Sequence, residues 1–224
     1  LGLVTDTQDI TGEVLETHGT DGIGEDDVRR VLASFVGETE QLPPMYSSVK
    51  VGGKKLYELA REGKTVERKA RKITVYEIEY LGTVAENEYK FRIACSKGTY
   101  IRTIIDDAGR ALGCGACMTS LRRTKANGFS LADAVPLEEA EKLAKEGHIA
   151  SVCHSSEGCF DFLGRCTVPE NGLKFYLNGG SIGEKRLSDV TERTELMRAY
   201  SENGVFLGLC RLEEGEVKAV WKRI

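Results

Sequence analysis

Hydrophobic and polar positions recur with different periods along the chain, and each change of period marks an element. Leu1 to Thr5 reads as the end of a strand, and Thr5, Asp6, Thr7, Gln8 and Asp9 are polar turn formers. Residues 12–17 alternate weakly, as a strand does. Asp26 and Asp27 open a helix with apolar residues at Val28, Val31, Leu32, Phe35 and Val36, and Gly37 stops it. A loop over 38–49, holding Pro43-Pro44, leads to a short strand (Val49 to Val51) and a hairpin signal at Gly52-Gly53. A short helix, Leu56 to Arg61, ends at Gly63. Residues 72–82 and 88–95 alternate as two strands, through Ile73, Val75, Ile78 and Tyr80, then Tyr89, Phe91 and Ile93. From about Thr99 to Leu112 the period returns to helical, with Ile101, Ile104, Ile105, Ala108 and Leu112 on one face and Gly113 as the stop. The pattern predicts a strand over 117–124 and a helix from Leu137 to Glu146. Beyond about residue 165, short apolar runs alternate with Gly179-Gly180 and the Asn-Gly steps at 171–172 and 203–204, which predicts a small β-rich unit.

A boundary is placed near 150–165, where Cys153 to Gly158 is small and polar. The length of 224 residues suits one large domain plus a small appendage. Hydrophobic residues make up 41% and charged residues 29%, a balance that excludes a largely disordered chain. No apolar run approaches a bilayer span. No positive-then-apolar leader follows Leu1, so secretion has no support and a cytoplasmic location is expected. Seven cysteines at irregular spacings read as reduced thiols, and three histidines cannot form a His-rich metal cluster.

Charge is unevenly distributed. Residues 1–49 carry 2 basic and 10 acidic side chains, residues 50–125 carry 17 and 9, and residues 126–224 carry 12 and 16. The middle block, net +8, could attract a polyanion although the whole chain is net −4; on charge alone a solvated charged face is the simpler reading. Lys50, Lys54, Lys55, Arg61, Lys64, Arg68, Lys69, Arg71 and Lys72 interleave with Tyr46 and Tyr57, a pattern that suits RNA through phosphate contacts and stacking. Leu121-Arg122-Arg123 extends the basic surface. Lys97-Gly98-Thr99 lacks the glycine-rich half of a phosphate loop, but Gly98 permits a sharp turn and Thr99 is placed to cap the following helix. Tyr100 and Arg102 fall in its first turn. Spacing leaves open whether Arg102 holds an anion or lies over Tyr100. The lone Cys114-Gly-Ala-Cys117 has no second pair and follows a helix, so it reads as two small thiols and not as a metal or redox site.

Three segments go further: Gln41-Leu-Pro-Pro-Met-Tyr-Ser-Ser-Val-Lys-Val-Gly-Gly-Lys-Lys-Leu-Tyr-Glu-Leu-Ala-Arg-Glu-Gly63, Cys95-Ser-Lys-Gly-Thr-Tyr-Ile-Arg-Thr-Ile-Ile-Asp-Asp107, and Leu112-Gly-Cys-Gly-Ala leading to Leu121-Arg-Arg123. With Thr5-Asp-Thr-Gln-Asp9 before them, their order and spacing resemble the bacterial TruB-type tRNA pseudouridine synthases, closely over residues 1–150. The resemblance implies an α+β fold. A mixed, mostly antiparallel sheet flanked by helices would form a catalytic domain over 1–155, and 165–224 would form a small β-rich domain similar to a PUA domain. It also implies a reaction: one uridine in the T-loop of tRNA is flipped out, its N1–C1′ bond breaks, the uracil turns over, and C5 bonds to C1′. No metal or organic cofactor is implied. The implied partner is the T-arm of tRNA, met by a monomer, with no membrane.

Residue by residue, the resemblance makes Tyr100 a pocket tyrosine beside the base and Arg102 the arginine that pairs with the catalytic aspartate. It makes Leu121 an apolar pocket residue and Asp9 an acidic position near the cleft. Lys97 joins the substrate-binding set. Tyr46, Lys50, Lys54, Lys55 and Arg61, with Arg122 and Arg123, would lie along the RNA. The family's catalytic aspartate belongs to a Gly-x-x-x-x-Asp-Pro-x-Ala-Thr-Gly-type motif upstream of the Thr5–Asp9 segment, and these 224 residues contain none. The expectation is therefore a synthase lacking its N-terminal part, inactive alone, with Arg102 left without its carboxylate. The competing readings are a tRNA-binding or remodelling fragment without chemistry and, far behind, an α/β enzyme using Cys114 and Cys117.

Overall fold

The chain opens with a two-stranded antiparallel ladder, β1 (Leu3–Thr5) against β2 (Val14–Thr17), joined by the polar 6–13 loop. The computed structural model describes residues 1–192 and 194–222, and these divide into two units, Leu1–Arg122 and Arg123–Ile224.

In the first unit, α1 (Glu25–Ala33) starts where the Gly24 N–H donates to the Asp27 carboxylate at 3.0 Å, with three acids in its first turn. The helix stops at Ala33, short of the predicted Val36. Gly37, at φ 119°, turns the chain directly into β3 (Gly37–Gln41). A loop was expected there; Gly-Glu-Thr-Glu-Gln has no apolar alternation, and main-chain pairing alone makes it a strand. β4 (Lys50–Val51) and β5 (Lys54–Lys55) form the expected hairpin, with Gly52 and Gly53 both at positive φ. α2 (Leu56–Arg61) buries Leu56 and Leu59. β6 (Arg71–Ala85) and β7 (Glu88–Cys95) complete an antiparallel sheet in the order β3-β6-β7. α3 (Ile101–Leu112) ends at Gly113 in the left-handed region, as predicted. Its cap residue is Tyr100, not Thr99, and no side chain caps it; the Thr99 hydroxyl pairs with Ser96 instead. The strand expected over 117–124 does not form. Only Met118 bridges, in parallel with Asp9, and residues 119–122 are exposed. Val28, Leu32, Ile73, Val75, Ile104 and Ala108 share the apolar core of α1, α3 and the sheet.

The second unit begins with a small hairpin, β8 (Lys125–Ala126) and β9 (Phe129–Ser130), then α4 (Leu137–Lys145). β10 (Arg165–Val168), β11 (Ile182–Gly183), β12 (Leu196–Ser201), β13 (Phe206–Glu213) and β14 (Glu216–Lys222) form a sheet in the order β10-β12-β13-β14-β11, antiparallel except for β10 with β12. α5 (Glu170–Leu177) was not foreseen. Its Asn171-Gly172 step reads as a turn in sequence, yet Gly172 lies inside the helix, where a Cβ would sit 2.8 Å from Ile182 Cδ1. Helices and mainly antiparallel sheets together make this the expected mixed α+β fold. No helix among the described residues is long and apolar enough to cross a membrane.

Candidate functional site

The loop between β1 and β2 is fixed by its own polar side chains. The buried Thr5 hydroxyl and that of Thr7 both donate to the Asp9 carbonyl, at 2.9 and 3.2 Å. Asp6 Oδ1 accepts the Glu13 N–H at 2.8 Å. The Met118 N–H donates to the Gln8 carbonyl and the Ile10 N–H to the Met118 carbonyl, at 3.0 and 2.9 Å, so the bridge to residue 118 pins the loop from the far side. Asp9 Oδ1 accepts the Thr11 N–H at 3.0 Å and the Thr11 hydroxyl at 2.7 Å. These two bonds hold its carboxyl below the ordinary carboxylate range, against a smaller opposing effect of burial, and the positive charge of Arg102 acts in the same lowering direction.

Arg102 lies in the first turn of α3. Its guanidinium carbon is 5.8 Å from the centre of the Tyr100 ring, and Nη2 donates to the Tyr46 carbonyl. Arg102 thus borders Tyr100, and its positive charge acts on Asp9. The Asp6 carboxylate near the Tyr46 phenol raises its proton affinity. Asp9, Tyr46, Tyr100 and Arg102, from three segments far apart in sequence, thus converge. Leu121 is 59% exposed on the irregular segment after Met118. Lys97 is exposed on the turn made by Gly98 at φ 89°. Arg122 and Arg123 are exposed where, along the sequence, the first unit ends and the second begins.

The basic hairpin surrounds Tyr57. Lys55 Nζ and the Arg61 guanidinium each lie 5.4 Å from its ring centre. Lys54 is exposed and pairs loosely with Glu62 at 3.6 Å. Behind the hairpin, a cavity of about 260 Å³ is lined by Pro43, Lys50, Glu67, Arg68, Lys69 and Arg71 among others, and Arg68 is anchored by donating to the Pro43 carbonyl at 2.9 Å.

Sequence reasoning missed the polar groups beneath these loops. Gln8, a non-glycine residue at φ 62°, donates from Nε2 to the buried Asp106 carboxylate at 2.9 Å and accepts the Thr103 hydroxyl at 2.8 Å. Arg110 Nε also donates to Asp106, at 3.0 Å. Gln41, 5% exposed, bonds to the main chain of Tyr100. The pairs made by Gln8 and Gln41 span 59 to 98 residues and carry no periodic signal. Cys114 and Cys117 are free thiols, and burial pushes the Cys117 thiol up, away from thiolate chemistry. No cluster of metal-ligating side chains occurs among the described residues.

Residues 1–101 match the family model described as TruB family pseudouridylate synthase (N terminal domain), and residues 102–154 match tRNA pseudouridylate synthase B C-terminal domain. A Clostridium perfringens (strain 13 / Type A) protein named tRNA pseudouridine synthase B is 41% identical over 215 residues, which cover 96% of this chain and 72% of that protein. A protein of the same name from Nitrosococcus oceani is 51% identical over 145 residues, 65% of this chain and 47% of its own. Among solved structures, one described as a crystal structure of a Cbf5-Nop10-Gar1 complex matches with a TM-score of 0.68 at 23% identity, covering 92% of this chain and 63% of that one, a likeness of fold.

Proposed function

From the premise that the chain belongs to the TruB family of pseudouridylate synthases, an isomerase family, we propose that it serves the conversion of a T-loop uridine of tRNA to pseudouridine, with the base flipped out of its loop. One observation carries this reading: three distant segments bring Asp9, Tyr46, Tyr100 and Arg102 to one place beside a basic hairpin. In this reading Tyr100 and Leu121 contact the flipped uracil, and Arg102 orients a carboxylate. Asp9 lies at the cleft and keeps Arg102 in place. Lys97 meets the substrate backbone. Lys50, Lys54, Lys55, Arg61, Arg122 and Arg123 neutralise phosphates, and Tyr46 borders the bound RNA. Residues 1–155 are the catalytic domain and 165–224 a PUA-like domain, a division supported by the second family match ending at residue 154. The protein works as a cytoplasmic monomer.

The 224 residues hold no Gly-x-x-x-x-Asp-Pro-x-Ala-Thr-Gly motif, so on their own they grip the RNA without turning it over. A T-arm RNA tritiated at uridine C5 tests both statements. Binding without tritium release is expected from the 224-residue chain. Release would overturn the inactivity, and failure to bind at low salt would overturn the assignment of the RNA.

A further inference from the structure

We propose that Gln41 is a positioning residue, whose side-chain amide fixes the main chain of Tyr100 and so sets the tyrosine ring against a flipped base. The inference rests on the reading above, in which Tyr100 meets that base. Gln41 ends β3 and is 5% exposed, whereas Glu38, Thr39 and Glu40 before it are open to solvent. Its Oε1 accepts the Tyr100 N–H at 2.8 Å and its Nε2 donates to the Tyr100 carbonyl at 3.0 Å. A single side chain thereby takes both main-chain groups of a residue 59 positions away, as a neighbouring strand would.

Tyr100 has need of such a partner. It is extended, at φ −96° and ψ 106°, and it precedes α3 with no side-chain cap. The Thr103 and Ile104 N–H groups donate to the same Tyr100 carbonyl, at 3.1 and 3.3 Å, so the group Gln41 grips is also the first acceptor of α3. On the other side the chain has just passed the exposed Lys97-Gly98 turn. The far end of that turn is tied down separately, by Ser96 N–H to the Thr74 carbonyl at 2.8 Å and Thr74 N–H to the Ser96 hydroxyl at 2.9 Å. Between these two anchors the turn is closed by longer contacts, the Thr99 N–H to the Ser96 carbonyl at 3.4 Å and the Ser96–Thr99 hydroxyl pair at 3.3 Å. Gln41 lies outside the apolar core cluster of this unit. Both hydrogen-bonding ends of its amide are committed to Tyr100, and the alignment they impose extends through the first turn of α3 to Arg102.

The test uses the 224-residue chain and a T-arm RNA hairpin with 5-fluorouridine at the target position, followed by fluorine NMR and by affinity. With the parent chain, binding shifts the fluorine resonance through the Tyr100 ring, and Tyr100→Leu removes that shift. Gln41→Met keeps the side-chain length and removes both hydrogen bonds. It should cut the fluorine shift at least by about half while changing affinity less than roughly threefold, because the phosphate contacts remain. Gln41→Glu keeps the acceptor and loses the amide donor, and should fall between parent and Gln41→Met. It decides the matter if circular dichroism shows that Gln41→Met does not fold. A full parental shift in a folded Gln41 variant, with Tyr100→Leu still lacking it, would reduce Gln41 to a structural tie and overturn the proposal. A parent that binds without any fluorine shift, or does not bind, would instead bring down the reading of Tyr100 or of the RNA, and this inference with it.

Discussion

The two units hold their working parts by different physical means. In the second, Cys166, Val168, Met197, Ala199, Cys210 and Val217 are fully buried in the sheet, and Tyr176 and Ile182 are nearly so. The first unit has an apolar core too, but the loops that carry its candidate site lie outside it. Of the buried polar side chains among the described residues, Thr5, Gln41, Ser47, Thr103 and Asp106 lie in the first unit, and only Thr167 and Ser201 in the second. Those five sit on, or directly beneath, the segments that converge at Arg102. Apolar burial is strong but has no direction, whereas a hydrogen bond fixes direction and is costly only when left unmade. A sheet needs the first kind of force. A site that must aim a tyrosine ring and a guanidinium needs the second.

The largest expected effect comes from the apolar side of this contrast. Met197→Ala empties a fully buried position and should cost about 2–5 kcal/mol, read as a lower urea midpoint by the fluorescence of Trp221. That residue is the chain's one tryptophan and lies in β14 of the same sheet. The polar side should respond less in stability and more in geometry. Asp106→Ala strips the acceptor from Gln8 Nε2 and from Arg110 Nε. The Arg110 side chain is 66% exposed, so its half of the pair contributes little. The unpaired Gln8 amide dominates, at about 1–3 kcal/mol. The local signature is faster hydrogen exchange at the Met118 N–H, which donates to the Gln8 carbonyl. If Asp106→Ala cost more than Met197→Ala, or left Met118 exchange unchanged, the contrast would fail.

The same contrast explains what was legible in the sequence. Periodicity identified α1, α3, β6 and β7 because each buries an apolar stripe, and Gly52-Gly53 announced its hairpin through backbone chemistry. It missed β3, whose Glu38, Thr39 and Glu40 are exposed and whose existence depends on pairing with β6. It invented a strand over 117–124, where Leu121 faces solvent and only Met118 finds a partner. It read Gly172 as a turn because a glycine that admits a neighbouring isoleucine looks the same as one that bends the chain. In the site, motif resemblance pointed to Asp9, Tyr100 and Arg102. Tyr46 was picked as a stacking residue and also supplies the carbonyl that Arg102 grips. Gln8, Gln41, Thr103 and their partners stayed invisible, since an amide facing a residue 59 or 95 positions away leaves no mark on any local pattern.

The smallest prediction separates the two forces by sign. Burial pushes the proton affinity of Tyr176 up, so the second unit's core phenol stays neutral throughout the acid range. Hydrogen bonds from Thr11, reinforced by Arg102, pull Asp9 down from its ordinary 3.8. A carboxylate with a depressed folded-state pKa contributes stability that is present above its unfolded value. That contribution is lost as pH falls through the folded value. Acidification below about pH 4 should therefore remove the Asp9 contribution from the first unit while Tyr176 in the second does not titrate. Carbon NMR of the Asp9 carboxyl measures this directly, and its titration should lie below the ordinary value. Thr11→Ala deletes the hydroxyl donor but keeps the backbone N–H, so it should raise the Asp9 pKa only part of the way back. A parent Asp9 that titrates at or above 3.8 would mean that the Thr11 bonds do not hold the loop in solution, and that the first unit relies on its apolar core as the second does.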